Sequence, residues 1–242
     1  AARERVAVLD ELERRQEGVG AGVKEVLARS RRGEPDALAG VSGLVADVIH
    51  VSVELAPLVE VALGPAAQYV VVAPGTNLRA YAESHAACWA GRVGFVEASP
   101  AAADAPPAEA ELVEFDRAAG VVGRLDRLVE TPAPFQPLIR RLLGRTWVVE
   151  RLADAFRLAR AATCRADFVT LAGELLSADG TLVVGPPDVA GGLISRRSQL
   201  RQLGAQLAEF ARRVDELGAV VERLERQMAA GRQEVERAAE AH

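Results

Sequence analysis

The sequence predicts an α/β body interposed between two coil-forming helical arms, and three observations carry that prediction. From Leu200 onward the apolar residues Leu200, Leu203, Leu207, Phe210, Val214, Leu217, Val221, Leu224 and Met228 recur in alternating steps of three and four, the seam of a coiled coil. A shorter helical pattern at the other end (Val8, Leu12, then Val19, Val23, Val26) is its mate within the chain. Between them, about 150 residues alternate short apolar runs with helical stretches, as α/β domains do. A body inserted between arms that pair with each other must bring its ends together, so the arms run antiparallel.

Taken in order, residues 1–32 read as the N-terminal coiled-coil arm and a lead-in helix, interrupted at Gly18, Gly20 and Gly22. Gly33-Glu34-Pro35-Asp36 marks a loop. A first lobe spans 36–97 and a second 113–192, and the two are related by a weak internal repeat. Pro57-Leu58-Val59 is echoed by Pro137-Leu138-Ile139 and Leu63-Gly64 by Leu143-Gly144, both at an offset of 80. Tyr69-Val70-Val71 then matches Trp147-Val148-Val149 at 78, Cys88 matches Cys164 at 76, and Phe95-Val96 matches Phe168-Val169 at 73. A slowly shrinking offset is what small deletions in a duplicated unit produce. Each unit reads as a helix ending in Leu-Gly, a short apolar strand, a second helix (78–89 and 152–162) and a further strand. The Ala/Pro-rich stretch 98–112 between the lobes reads as an exposed connector, and 193–242 as the C-terminal arm. The charged helical pattern at both ends reads as a piece cut from longer coils.

Composition narrows the function classes. Net charge is −5, and residues 43–192 alone carry 12 basic against 18 acidic residues. A generally basic nucleic-acid binder is therefore excluded, and DNA contact would have to use local patches. Aromatics are only 4% of the chain, so the core is expected from Val, Leu and Ala. There is no long apolar span and no signal-peptide order, so no membrane is expected. Two distant cysteines, Cys88 and Cys164, make no disulfide framework and fit a reducing cytoplasm.

Catalytic and metal chemistry finds no support. A P-loop needs lysine followed by Ser or Thr, and the one lysine, Lys24, precedes Glu25. Gly18-Val-Gly-Ala-Gly22 lacks the spacing and the preceding strand of a dinucleotide fingerprint. His50, His85 and His242 have no carboxylate or cysteine at ligand spacing, and neither cysteine sits in the Cys-x-x-Cys of a metal hook. Both cysteines fall on apolar helical patterns, as small core residues do. Ser42 misses the nucleophile elbow by one position. No catalytic residue, metal site or cofactor is expected.

Nearly all positive charge is arginine, in three groups: Arg29, Arg31 and Arg32; Arg140, Arg141 and Arg145; Arg196, Arg197 and Arg201. If both arms leave the body on one side, the first and third converge. They read either as a phosphate-holding patch or as a solvated collar paired with Glu25, Glu34 or Asp188.

Several motifs in order resemble the hinge domain of bacterial SMC (structural maintenance of chromosomes) proteins. They begin at Gln16-Glu-Gly-Val-Gly-Ala-Gly-Val-Lys-Glu-Val-Leu27 and Gly43-Leu-Val-Ala-Asp-Val-Ile49. Ala62-Leu-Gly64 with the strand Val70–Val72, Gly91-Arg-Val-Gly-Phe95 and Leu143-Gly-Arg-Thr146 follow. Phe168-Val-Thr-Leu-Ala-Gly-Glu-Leu-Leu176 and Gly192-Leu-Ile-Ser-Arg-Arg197 complete the series, which covers nearly the whole chain. The resemblance implies a hinge that homodimerises through strand edges of its two lobes into a ring from which antiparallel coils emerge. It places the dimer interface at Gly173, Gly180 and Gly185, and weak, phosphate-directed DNA contact at Arg29, Arg31, Arg32, Arg140, Arg141, Arg196, Arg197 and Arg201. It implies a cytoplasmic, nucleoid-associated role in chromosome condensation and segregation, with ATP and Mg only at absent head domains and accessory condensin subunits bound elsewhere.

This chain departs from the family's paired glycines. Ala178-Asp-Gly-Thr-Leu-Val-Val-Gly185 keeps Gly180 and Gly185 but has Asp179 and Val184 in place of the other two. Independently of the family, Asp179-Gly180 reads as a hairpin turn, or as a point where two backbones approach closely, or both. Two other function classes remain open on the residues alone. One is a coiled-coil adaptor whose α/β insert binds a protein partner. The weaker is a small-molecule-binding or enzymatic α/β domain using the loop Pro74-Gly75-Thr76-Asn77 after the Val70–Val72 strand.

Overall fold

The computed structural model describes residues 2–34, 37–85, 89–99, 115, 118–161, 165–185 and 192–240. Cys88, Cys164, Asp188, His242 and most of the Ala/Pro-rich connector lie outside the described residues. Two compact units make up the chain, residues 1–10 with 200–242, and residues 11–199.

Within 11–199 the two lobes share one plan. Lobe 1 runs β1 (Val41–Leu44), a 3-10 turn (Val45–Asp47), α3 (Ala56–Leu63), β2 (Val70–Val72), α4 (Leu78–Ser84) and β3 (Phe95–Glu97). Lobe 2 runs β4 (Val121–Arg124), a 3-10 turn (Leu125–Arg127), α5 (Gln136–Leu143), β5 (Thr146–Val149), α6 (Leu152–Ala161) and β6 (Asp167–Thr170). Its sheet continues through β7 (Leu175–Leu176) and β8 (Leu182–Val183). The first strand, the turn and the first helix of the lobes stand 80 residues apart at both bounds. Both helices carry proline in the first turn, where the missing N–H costs nothing.

The strand order is β1-β2-β3 in one sheet and β4-β5-β6-β7-β8 in the other. In each lobe the first pair is antiparallel with a bulge at the equivalent place, between Val41 and Gly43 and between Val121 and Gly123, and the second pair is parallel. The register corrects one repeat match. Leu44 pairs with Val70 and Arg124 with Trp147, so Trp147 is the counterpart of Val70 at an offset of 77. The aromatic likeness of Tyr69 and Trp147 suggested 78, but the ladder decides position, and a one-residue slip would turn every side chain to the wrong face.

The lobes share a core. Leu44, Val45, Ile49, Val59 and Val71 pack in one cluster with Leu125, Leu138, Ile139, Val148 and Val169. The opposite face of the lobe 2 sheet buries Trp147, Val149 and Phe168 with Phe115 in a second cluster, the alternation that strands require. Helix α2 (Ala21–Arg32) adds Val23, Val26 and Leu27 to the shared core. The break before α2 falls where glycines were expected, since α1 (Ala2–Arg14) ends well before Ala21. Gly22 is the exception: it sits inside α2, where a Cβ would lie 2.6 Å from the Gly91 carbonyl oxygen. Helix α4 is shorter than its apolar pattern, stopping at Ser84. Trp89 lies beyond it, edge-on to Tyr81 and Phe95 at 5.8 and 6.0 Å.

Helix α7 (Leu193–Glu240) belongs to the other unit from Leu200 onward, where it carries the heptad seam. Leu200, Leu203 and Leu207 are half-buried, whereas every seam residue from Phe210 to Met228 is exposed. On α1 the buried seam residue is Leu9; Val8 is 60% exposed, a correction to the expected Val8–Leu12 face. Over so short a helix the two spacings are nearly degenerate, and packing selects between them.

Candidate functional site

Among the described residues strand β8 closes one end of the lobe 2 sheet, pairing with β7 alone. Its Leu182 and Val183 and the following Val184 are 41%, 49% and 59% exposed. An apolar strand edge open to water is a template for another strand, which proteins otherwise blunt with charge or proline. The hairpin that presents it is built locally. Gly180 N–H donates to the Ser177 carbonyl at 2.9 Å, Ser177 N–H to the Thr181 carbonyl at 2.9 Å, and Thr181 N–H to Asp179 Oδ1 at 2.9 Å. That last bond holds the Asp179 carboxyl below its ordinary range.

The three glycines of interest fall in different settings. Gly180 and Gly185 have φ of +89° and +120°, a region that side chains avoid, and their missing Cβ atoms would face open space. Asp179-Gly180 is thus a hairpin turn, and no described residue lies within 4 Å of where a Gly180 Cβ would stand. Gly173 is buried in the β6–β7 turn, its N–H donating to the Thr170 carbonyl at 2.9 Å. It shapes the hairpin from inside and presents no surface.

Among the described residues lobe 1 has a sheet edge at the corresponding level. There its sheet ends at β3, whereas the equivalent strand of lobe 2, β6, is followed in the sheet by β7. The bonds from Val70 N–H to the Gly94 carbonyl and from Ala98 N–H to the Val72 carbonyl leave the backbone groups of Phe95 and Glu97 pointing away from β2. Arg141 Nη2 donates to the Glu97 carbonyl at 3.2 Å, so one of these edge groups is capped by a side chain.

The arginines separate by what holds them. Arg29 bridges Glu25 at 2.9 Å and reaches Glu34 at 3.9 Å, and Arg32 pairs with Glu34 at 2.6 Å. Arg31, Arg145 and Arg201 are exposed. Arg196 is buried and donates to the Glu17 carbonyl. Arg197 pairs with Glu13 at 2.6 Å and also with Asp47. Arg196 and Arg197 therefore tie the start of α7 to the end of α1, to the turn that follows it and to lobe 1, while Arg31 and Arg32 are displayed. Arg140 lines a cavity of about 430 Å³ with Arg124 and Arg127.

One buried ion pair escaped the sequence reading. Arg124 is 3% exposed and grips Asp126 with both arms of its fork, Nε–Oδ1 2.6 Å and Nη2–Oδ2 3.0 Å. The repeat was the signal, because the same positions in lobe 1 are the apolar Leu44 and Ala46. His85 Nδ1 lies 3.0 Å from the Tyr81 carbonyl, and His50 exchanges backbone hydrogen bonds with Glu130. Among the described residues no group of His, Cys, Asp or Glu is placed to hold a metal ion, and no helix is long and apolar enough to cross a membrane.

Residues 38–159 match the protein family described as the SMC proteins flexible hinge domain. The chain is 38% identical over 221 residues to the chromosome partition protein Smc of Rhodopirellula baltica, and 31% identical over 219 residues to that of Myxococcus xanthus. These alignments cover 91% and 89% of this chain but 18% of each relative. Among solved structures, an asymmetric dimer of the Geobacillus stearothermophilus SMC hinge domain is similar at a TM-score of 0.75 and 30% identity, covering 97% of this chain and 89% of that one.

Proposed function

The chain belongs to the SMC flexible hinge family, and from that premise we propose that it is the homodimerisation module of a chromosome-partition protein, joining two coiled-coil arms. The observation that carries the reading is the β8 edge, where Leu182, Val183 and Val184 stand exposed beside the open space at Gly180 and Gly185. The complementary surface is the outer edge of β3, where the backbone groups of Phe95 and Glu97 point away from β2. Pairing β8 of one protomer with β3 of its partner, repeated about a twofold axis, uses both edges twice and closes on itself. The solved G. stearothermophilus hinge, an asymmetric dimer, supports dimerisation through this domain. Charging the edge tests it. In sedimentation experiments L182K/V183K is expected to leave a folded monomer; a variant that keeps the parent's dimer affinity contradicts the assignment.

In the whole protein this module would serve chromosome condensation and segregation at the nucleoid, with ATP and Mg at head domains and accessory subunits elsewhere, outside this chain. The exposed seam from Phe210 to Met228 would pack against a second coil strand. DNA contact near the arms would be weak and phosphate-directed, and the displayed Arg31 and Arg32 suit it better than the inward-held Arg196 and Arg197. Such binding would fall steeply with salt and be lost in R31E/R32E.

A further inference from the structure

The start of α7 and the end of α1 are held to the body in different ways. Residues 192–196 are all buried: Leu193 and Ile194 lie in the shared core, and the Ser195 N–H and hydroxyl donate to Glu60 Oε2 at 3.3 and 3.0 Å. None of residues 11–18 is buried, and apolar anchoring on that side begins only at Val19. Between α1 and that anchor the backbone takes a turn its sequence does not favour. Glu17 N–H donates to the Leu12 carbonyl at 3.0 Å and Gln16 N–H to the Glu13 carbonyl at 2.9 Å, a paired closure of a helix end whose left-handed residue is ordinarily glycine. Here that residue is Gln16, at φ +50°, the one non-glycine residue with positive φ among the described residues. Its Cβ makes the left-handed well costly. Gly18 follows at φ +82°.

Side chains from outside hold this turn closed. Arg196 donates to the Glu17 carbonyl, Arg197 Nε pairs with Glu13 at 2.6 Å, and Lys24 Nζ donates to the Arg15 carbonyl at 3.2 Å. The match is incomplete, since Arg197 Nη1 is buried with no hydrogen-bond partner. Gln68 fixes the far side of the turn: its Nε2 donates to the Gly18 carbonyl and its Oε1 accepts the Gly20 N–H, both at 3.0 Å.

We propose that Gln16–Gly18 is a pivot, with Lys24, Arg196 and Arg197 as its latch, so that the end of α1 opens away from the start of α7 while α7 stays rooted in the body. A residue in a sparsely populated conformation persists only while its surroundings enforce it. Opening returns Gln16 to the right-handed region, and the Glu13 carboxylate and the Arg15 and Glu17 carbonyls exchange their ties for water. Val19 and the two Gln68 bonds retain α2, so the motion ends there. On the other side α7 runs unbroken from Leu193 to Glu240, and it cannot open without exposing Leu193 and Ile194. The two arms are thus inequivalent: one grows out of the core, and the other hangs on polar ties that open locally.

The test is hydrogen exchange read by mass spectrometry on the full chain, over peptides spanning 11–18 and 193–199 and corrected for intrinsic rates. In the parent, 11–18 is expected to exchange about tenfold or more faster than 193–199. Q16G is the diagnostic variant. Glycine enters the left-handed well freely, so it is expected to slow exchange of 11–18 about fivefold, whereas glycine in an unstrained turn loosens it and speeds exchange. E13A removes the Arg197 tie from the α1 side and is expected to speed exchange of 11–18 about threefold while 193–199 stays unchanged. Equal exchange of the two segments in the parent would overturn the proposal. So would a Q16G protein whose 11–18 segment exchanges as fast as the parent's or faster, or an E13A protein in which both segments speed up together.

Discussion

His50 and Glu130, 80 residues apart, exchange both backbone hydrogen bonds: His50 N–H donates to the Glu130 carbonyl at 2.8 Å and Glu130 N–H returns the bond at 2.7 Å. They are equivalent positions of the repeat, and two equivalent positions bond each other reciprocally only on a twofold axis. The lobes are thus related by a local dyad through this bridge. Thr131 Oγ1 adds a third bond beside it, to the Val48 carbonyl at 2.8 Å.

Removing one donor on the dyad should loosen the pair of lobes as a unit. His50→Pro deletes the N–H and strands the Glu130 carbonyl, at an expected cost of about 1–3 kcal/mol. For a chain of this size that lowers Tm by roughly 2–4 °C per kcal/mol in calorimetry. An unchanged Tm would show that the bridge does not join the lobes energetically.

The buried Arg124–Asp126 pair replaces Leu44 and Ala46 of lobe 1, so lobe 1 supplies its own control. D126A leaves a buried guanidinium uncompensated and should cost about 3–5 kcal/mol. R124L/D126A restores the lobe 1 pair and should be neutral or about 1–4 kcal/mol stabilising. Chemical denaturation distinguishes these, and a double variant as unstable as D126A contradicts the account.

The Asp179 carboxylate accepts the Thr181 N–H and is thereby held below its ordinary range. A group whose pKa is lowered by folding contributes stability above its unfolded value and loses it as pH falls through the folded one. The hairpin should therefore stay capped at neutral pH and loosen only under acid, below the ordinary aspartate range. Carboxyl NMR titration should place the Asp179 midpoint below that of the same residue in a free 175–186 peptide. An equal or higher midpoint would mean that the turn bond does not form in solution.

Much of this architecture was legible because it is local or repeated. Pro57 and Pro137, and the two Leu-Gly helix ends, located both lobes through their shared offset. The Asp179-Gly180 turn was readable from two residues. What the sequence hid depends on distance or on ladder register. The docking of Ser195 onto Glu60 joins residues 135 apart in the chain. Arg196 and Arg197 looked like displayed charge because no periodicity marks which arginine turns inward. Trp147 was misplaced by one residue because an aromatic likeness outweighed a register that only hydrogen bonds define. Val8 and Leu9 are neighbours that helical spacing alone separates poorly.

The central claim is that the dimer is made by sheet edges of the α/β body and not by the coils. Light scattering across a dilution series tests it most directly, on the full chain and on residues 11–199. That compact unit retains α2 and the start of α7, whose Val23, Val26, Leu27, Leu193 and Ile194 lie in the core. The account predicts a dimeric mass for both and a monomeric mass for 11–199 carrying L182K/V183K. A monomeric 11–199 beside a dimeric full chain would contradict it and assign the joining to the exposed coil seam.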